Sequence, residues 1–428
     1  MMRSLVPVLT TVALAASLSA VVSPASAAGE TCRGVAATIS GTGTLTGTEG
    51  NDVIVADDAL TVNALGGNDL VCITGDTNTS VYGGAGDDVV DATLATVGTS
   101  ATLGAGADTY LGSAGSDYVT AGEGDNRDTE RDVIDVGLGG FDTVASGRGG
   151  EENADEIRGG STLQLFWSGI PTSASVAHAG TGSTFQMIYD NEVARLKIDT
   201  RAGYLSTGSG PRLDLDGFTV FTVRGYRTLR QVTVLGSDLD ESVGLGWDTS
   251  AKVEQKVALG GGDDRLGIGL FSAKSSFSGG DGTDELIAGS RSRIDLDLAR
   301  EELTIGSGRK AVRTEANSFE DARLASSTVT LTGTGRANDL EVNACRATVS
   351  GLGGRDDITA FINTPDGARV ECSKGRRTTF LGGPGNDVLV GSAGGDVLVG
   401  GPGRDRANGR QSRDTCQAEV RISCEVRR

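Results

Sequence analysis

Asp387, Asp396, Asp405 and Asp414 fall nine residues apart in the run GGPGNDVLV GSAGGDVLV GGPGRDRAN GRQSRDTCQ, residues 382 to 417. Gly stands at the first and fourth positions of each nine, Asp at the sixth and an apolar residue at the eighth: Leu389, Leu398, Ala407. The last copy departs, with Ser412 for the second Gly and Cys416 for the apolar residue. Carboxylates at a fixed period do chemistry only if the chain stacks them. On a coil of two such units Asp387 lies below Asp405, and Asp396 below Asp414, about 4.8 Å apart. At that spacing two bare carboxylates repel by about 0.9 kcal/mol in water, and by about 3.5 kcal/mol at an effective dielectric of 20. Such a stack requires a cation. Carboxylate and glycine carbonyl oxygens are hard ligands, which suits Ca2+.

The elements that would position these groups follow from the same nine residues. A segment such as DVLV suits a short strand with one side chain pointing inward. The preceding GGPGN carries the glycines that a tight turn and a close backbone approach require. One turn and one strand make half a coil, and stacked coils make a parallel β-roll. The fold class expected is therefore all-β, a parallel β-roll or β-helix solenoid of GGxGxDxUx nonapeptides, with wider, degenerate coils in the middle.

On these residues the chain resembles the RTX (hemolysin-type) calcium-binding proteins, whose signature is this nonapeptide. GGAGDDVVD (83 to 91), GGDGTDELI (279 to 287), GGPGNDVLV and GGPGRDRAN carry the resemblance. It implies that turns of successive coils hold several Ca2+ ions between them through the sixth-position Asp and backbone carbonyls. The matching residues are Asp52, Asp69, Asp88, Asp108, Asp117, Asp142, Asp264, Asp284, Asp356, Asp387, Asp396, Asp405 and Asp414. The turn backbone around them is supplied by Gly50, Gly67, Gly83, Gly84, Gly86, Gly106, Gly115, Gly279, Gly280, Gly282, Gly382, Gly383, Gly385, Gly394, Gly400, Gly401 and Gly403. A lone Gly-x-Asp is an ordinary turn; the repetition of Gly-x-Asp-x-apolar is what carries the reading.

Asp52, Asp69, Asp88 and Asp108 are 17, 19 and 20 residues apart, close to one coil each, and Ile54, Val71, Val90 and Tyr110 would form their inward column. Asn126 is the next position expected on that column. The acidic segments DNRDTERD and GRGGEENADE read as loops that break the step. Between Val144 and Gly262 the motif is absent, and aromatics gather instead: Phe166, Trp167, Phe185, Tyr189, Tyr204, Phe218, Phe221 and Tyr226. LKIDTRAGYLSTGSG from Leu196 aligns without gaps on IDLDLAREELTIGSG from Ile294, so residues 195 to 266 and 292 to 358 read as two copies of one module. Degenerate turns are expected around Asp240 and Asp339.

Residues 1–27 read as a signal peptide: Arg3, an apolar run from Leu5 to Val22, then Ala25 and Ala27 at the small-residue positions. The expected organisation thereafter is an N-terminal roll at 28–160, wide coils at 161–375, and a C-terminal roll and cap at 376–428. An extracellular location and no membrane span after cleavage follow from that reading. The six cysteines allow fifteen pairings; proximity favours Cys32–Cys72, Cys345–Cys372 and Cys416–Cys424. Net charge is −19 with 57 Asp and Glu against 38 Lys and Arg, which argues against nucleic acid as a partner. The 66 glycines follow no three-residue period, so collagen is excluded.

Catalytic machinery is sparse. His178 is the single histidine, so the HExxH of a zinc protease is absent, as is a GxSxG elbow. A non-enzymatic protein is expected. The competing readings are a calcium-stabilised β-helix enzyme on polysaccharide, of lyase or epimerase type with Lys197, Arg224, Tyr226 and Arg227 lining a groove, and an adhesin. In the latter the segment 160 to 230 would present Phe166 and Trp167 to extracellular glycans.

Overall fold

The computed structural model describes residues 29–122, 129–160, 162–188, 193–224, 228–246, 253–361, 370–373 and 375–427. Asn126, Tyr189, Tyr226, Arg227 and the leader 1–27 lie outside the described residues. Among those described there is no α-helix, only a 3-10 turn at Gly308–Lys310 and short strands. Most strands join one sheet of 35, so the all-β expectation holds.

The C-terminal repeats show how the sheet is wound. Val388–Val390 pairs in parallel with Arg406–Asn408, skipping the strand between them, while Val397–Val399 pairs with Thr415–Gln417. Consecutive strands therefore alternate between two ladders, and one coil takes 18 residues here. Each three-residue strand buries only its middle side chain. Leu389 thus lies on Ala407, and Leu398 on Cys416, all fully buried. Burying one leucine contributes roughly 1.5–3 kcal/mol, so a coil with two inward residues gains little core of its own and relies on its neighbours.

The N-terminal part follows the same plan. Ile54, Val71, Val90 and Tyr110 form the expected inward column, which continues through Ile134 and Ile157. Val62, Val81, Ala101, Val119, Val144 and Leu165 form the opposite column. Across the acidic segments the step changes as expected, to 24 residues from Tyr110 to Ile134 and 23 from Ile134 to Ile157. They lengthen two coils, and Ile134 and Ile157 keep their register within them.

In the middle the core is aromatic. Phe185 and Phe221 lie in register across parallel strands, Trp167 stacks on Phe185 from two residues along at 6.5 Å between centroids, and Phe218 meets Phe185 edge-on at 5.4 Å. These rings are buried, which removes Trp167 from any glycan-facing surface. The internal repeat has a different form from the wide coils expected. Arg195–Asp199 and Tyr204–Ser206 form an antiparallel hairpin, and so do Ile294–Asp297 and Glu302–Ile305. In both copies an Asp (Asp199, Asp297) accepts the N–H three residues on at 3.0 Å, closing the turn. Gly203 and Glu301, which align, both take positive φ (66° and 59°). The first strand of each hairpin then joins a parallel neighbour, Leu196 on Val232 and Ile294 on Val329.

One continuous cluster of buried side chains runs from Leu45 to Ala418. Three disulfides staple the chain, Cys32–Cys72, Cys345–Cys372 and Cys416–Cys424, with Cα separations of 5.5, 5.3 and 5.9 Å. Cys416 belongs to an inward column, whereas Cys32 and Cys72 pack with Val55 beside the main core.

Candidate metal centres in the stacked turns

Each motif Asp sits where its turn enters a strand, with its side chain folded under the turn. The two carboxylate oxygens have separate fates. Oδ1 accepts the main-chain N–H of the equivalent residue one coil earlier. Asp69, Asp88 and Asp108 thereby bond the N–H groups of Asp52, Asp69 and Asp88 at 2.7–2.8 Å. The same bond joins Asp142 to Asp117, Asp284 to Asp264, Asp387 to Asp356, Asp405 to Asp387 and Asp414 to Asp396. All thirteen Asp residues are at most 7% exposed. Asp117 and Asp142 lie on the opposite edge from Asp52 to Asp108, as do Asp396 and Asp414 relative to Asp387 and Asp405.

Oδ2 points into the turn. In Asp69, Asp88, Asp142, Asp264, Asp284, Asp356, Asp387, Asp405 and Asp414 it is buried with no hydrogen-bond partner. A buried carboxylate oxygen left this way costs about 1–3 kcal/mol or more, and the stacking adds like-charge repulsion. Burial first, then the neighbouring carboxylates, raises the pKa of Asp69, Asp88, Asp142, Asp264, Asp284, Asp356, Asp387 and Asp414. Burial, helped by neighbouring carboxylates, pushes Asp88 and Asp264 up to about 7. Asp142, Asp284, Asp356 and Asp414 are pushed up to about 6 by the same desolvation and their acidic neighbours.

The glycines make room for these oxygens. A Cβ at the first-position Gly83, Gly279, Gly382 or Gly400 would collide with Oδ2 of that turn's own Asp. At Gly84, Gly86, Gly106, Gly280, Gly282, Gly383, Gly385, Gly401 and Gly403 it would strike a carbonyl oxygen of the preceding coil's turn, and at Gly394 the carbonyl of Arg376. Gly67 would meet Gly50, and Gly115 would meet Gly98. Turn backbones thus pack carbonyl against Cα, one coil on the next. In the nine turns with an unpaired carboxylate oxygen, the donor set is that oxygen with main-chain carbonyls close by. Among the described residues no three His, Cys, Asp or Glu converge as a metal cluster, so a cation here would take one carboxylate per turn together with carbonyls. That all-oxygen set fits a hard divalent ion of calcium's kind.

Several ladder members lack the motif. Asp132 follows Asp108, its Oδ1 accepting the Asp108 N–H at 2.8 Å, and Asp155 follows Asp132 at 3.0 Å. They continue the column. In the middle, at the degenerate turns around Asp240 and Asp339, the ladder residues are Glu241 and Asn338. Glu320, Glu419 and Glu425 close three runs by accepting the N–H of Asp284, Asp405 and Asp414. The signal that survives at Asp132, Asp155, Glu241, Glu320 and Asn338 is a polar residue two positions before a buried one; the glycine is what is lost.

The groups considered for catalysis are engaged elsewhere. Lys197 pairs with Asp199 at 2.9 Å and donates to the Tyr204 hydroxyl, and both contacts raise its pKa. Arg212 lies 4.0 Å over the Tyr204 ring. His178 faces Asp214 at 3.2 Å. Arg224 ends the strand Arg212–Arg224, exposed, and does not join this group. No helix among the described residues is long and apolar enough to cross a membrane.

A search of curated proteins finds no match to the chain. The pattern of the RTX calcium-binding nonapeptide repeat does match, in four copies at residues 39–59, 73–93, 102–127 and 381–416. Asp52, Asp88, Asp108, Asp117, Asp387, Asp396, Asp405 and Asp414 fall inside those stretches. Asp69, Asp142, Asp264, Asp284 and Asp356 fall outside them yet adopt the same stacked turn. The chain carries RTX calcium-binding nonapeptide repeats at both ends of a parallel β-roll.

Proposed function

We propose that this is a secreted, non-enzymatic protein whose turns bind several Ca2+ ions between stacked coils and which folds on binding them. The observation that carries the reading is the series of buried, unpartnered Oδ2 atoms at Asp88, Asp264, Asp284, Asp387, Asp405 and their equivalents. Bound calcium would supply the positive charge that the stack lacks. The carboxylates would provide one oxygen each, and the glycine turns would bring carbonyls near. Without the ion, repulsion and the conformational entropy of glycine-rich turns oppose folding; with it, binding free energy becomes folding free energy. Affinity per site is expected at about 10⁻⁴ to 10⁻³ M, the range of extracellular modules. The N-terminal leader and three disulfides support an oxidising, extracellular location. The segments 28–160 and 376–428 are the calcium-binding rolls in this reading, flanking 161–375.

Far-UV circular dichroism of the mature chain, disulfides intact, titrated from EGTA into Ca2+ with Mg2+ as control, tests it. A cooperative rise in β signal with Ca2+ alone is expected. A full β spectrum in EGTA, unchanged by Ca2+, would overturn coupled folding.

A further inference from the structure

The Asp turns fall into two classes, divided by whether the second residue is Ser or Thr. In GSAGGD the second residue is Ser392, whose N–H donates to Oδ2 of Asp396 at 2.6 Å and whose Oγ donates to the same carboxylate at 3.0 Å. Ser113 does the same for Asp117 (2.8 and 2.7 Å), and Thr48 for Asp52 (2.6 and 2.9 Å). These three carboxylates have both oxygens satisfied by their own turn and the adjacent coil. Where the second residue is Gly383 or Gly401, the backbone there is left-handed (φ 115°). The Gly383 N–H then turns away from its Asp and donates to the Gly400 carbonyl at 2.8 Å. Oδ2 of Asp387 and of Asp405 is left without a donor.

We infer that the second turn residue decides whether an Asp turn uses a cation: Ser or Thr replaces the ion with its own N–H and hydroxyl, whereas Gly, and equally Leu65, Leu138, Leu352 and Arg410 before Asp69, Asp142, Asp356 and Asp414, leaves the site open. Asp52, Asp117 and Asp396 are then structural caps and not ligands, although their nonapeptides fit the motif. Asn338 supports this independently. It occupies the ladder position of a turn whose second residue is Thr334, and its Oδ1 accepts the Thr334 N–H at 2.6 Å. A self-capped turn needs an acceptor but no charge, so a neutral amide serves there.

The inference rests on the calcium reading above, and the test separates the two. Calcium content of the full mature chain is measured by equilibrium dialysis for the wild type, Asp396→Asn, Asp387→Asn and Ser392→Gly, with circular dichroism confirming the fold. Bound calcium should be unchanged in Asp396→Asn, lower in Asp387→Asn and higher in Ser392→Gly. Equal losses in the two Asn variants, or no gain in Ser392→Gly, would overturn the inference while leaving calcium binding intact. If Asp387→Asn fails to fold, the gain or its absence in Ser392→Gly decides alone. A wild type that takes up no calcium would sink the parent reading, and the inference with it.

Discussion

The main-chain N–H of Asp387 donates to Oδ1 of Asp405, 3.0 Å away and 18 residues later. One carboxylate therefore both holds the coil before it and leaves its second oxygen exposed to whatever charge the turn admits. Removing it costs the stack a hydrogen bond and the turn its anionic donor together.

Asp387→Ala with Asp405→Ala should shift the calcium midpoint of folding upward and reduce bound calcium. The reduction comes from the lost anionic oxygens and the shift from two buried N–H groups left unpaired, at about 1–3 kcal/mol each. Circular dichroism against free Ca2+ reads both. A midpoint within error of wild type would count against ligation by this column.

Acidity should act in opposite senses with and without the ion. An unfolded Asp titrates near 3.9. In the ion-free fold Asp88 and Asp264 hold protons up to about 7, and Asp142, Asp284, Asp356 and Asp414 up to about 6. Between those limits the folded chain binds more protons than the unfolded one. Its stability is then fully present below pH ~4 and is lost as pH rises through 6 to 7. In EGTA the β signal of the mature chain should be greater at pH 5 than at pH 8. Calcium affinity should fall over the same acid range, because protons compete for the same oxygens. A flat or inverted EGTA profile would mean that these carboxylates are already compensated.

Leu398→Ala empties one inward slot between Phe380 and Cys416. A loss of about 2–5 kcal/mol is expected, measured by urea unfolding in saturating Ca2+. A change below about 0.5 kcal/mol would show that the column relaxes around the gap.

Gly401→Ala places a Cβ against the Gly383 carbonyl at a residue with φ of 115°. Neither the clash nor the backbone is relieved by rotating a side chain, so the variant should lose calcium-induced β signal or need far more calcium to gain it. Gly210→Ala, with open space around it, is the control and should behave as wild type.

The inward columns could be read from the sequence because Asp and its apolar partner keep a two-residue step whatever happens in the loops; Asp52 with Ile54 and Asp387 with Leu389 are the plain cases. Asp132 and Asp155 kept that step but lost the glycine two residues earlier, and a search on Gly-x-Asp passes over them. The hairpins were hidden for another reason. Leu196 and Ile198 alternate with polar residues as any half-buried strand does, and that alternation is the same for parallel and antiparallel neighbours. The turn of the second hairpin also has Glu301 where the first has Gly203, so no turn residue announces the reversal. The division between self-capped and open turns depends on the direction of a single N–H, which follows from the second residue and is lost when the motif is written with any residue there.

Glu419 ends the relay of main-chain N–H to carboxylate bonds in the Asp405 column. Its carboxylate accepts the Asp405 N–H at 2.7 Å and also its own main-chain N–H, and both bonds hold it below the ordinary glutamate range. Had an Asp stood here, its N–H would remain available to the carboxylate of one more coil, including the first coil of a second molecule. Sheet edges with spare donors are templates for fibre growth. By spending that donor on itself, Glu419 removes one template contact from the last coil of its column, and a Glu419→Asp protein is the one in which end-to-end polymerisation should be sought.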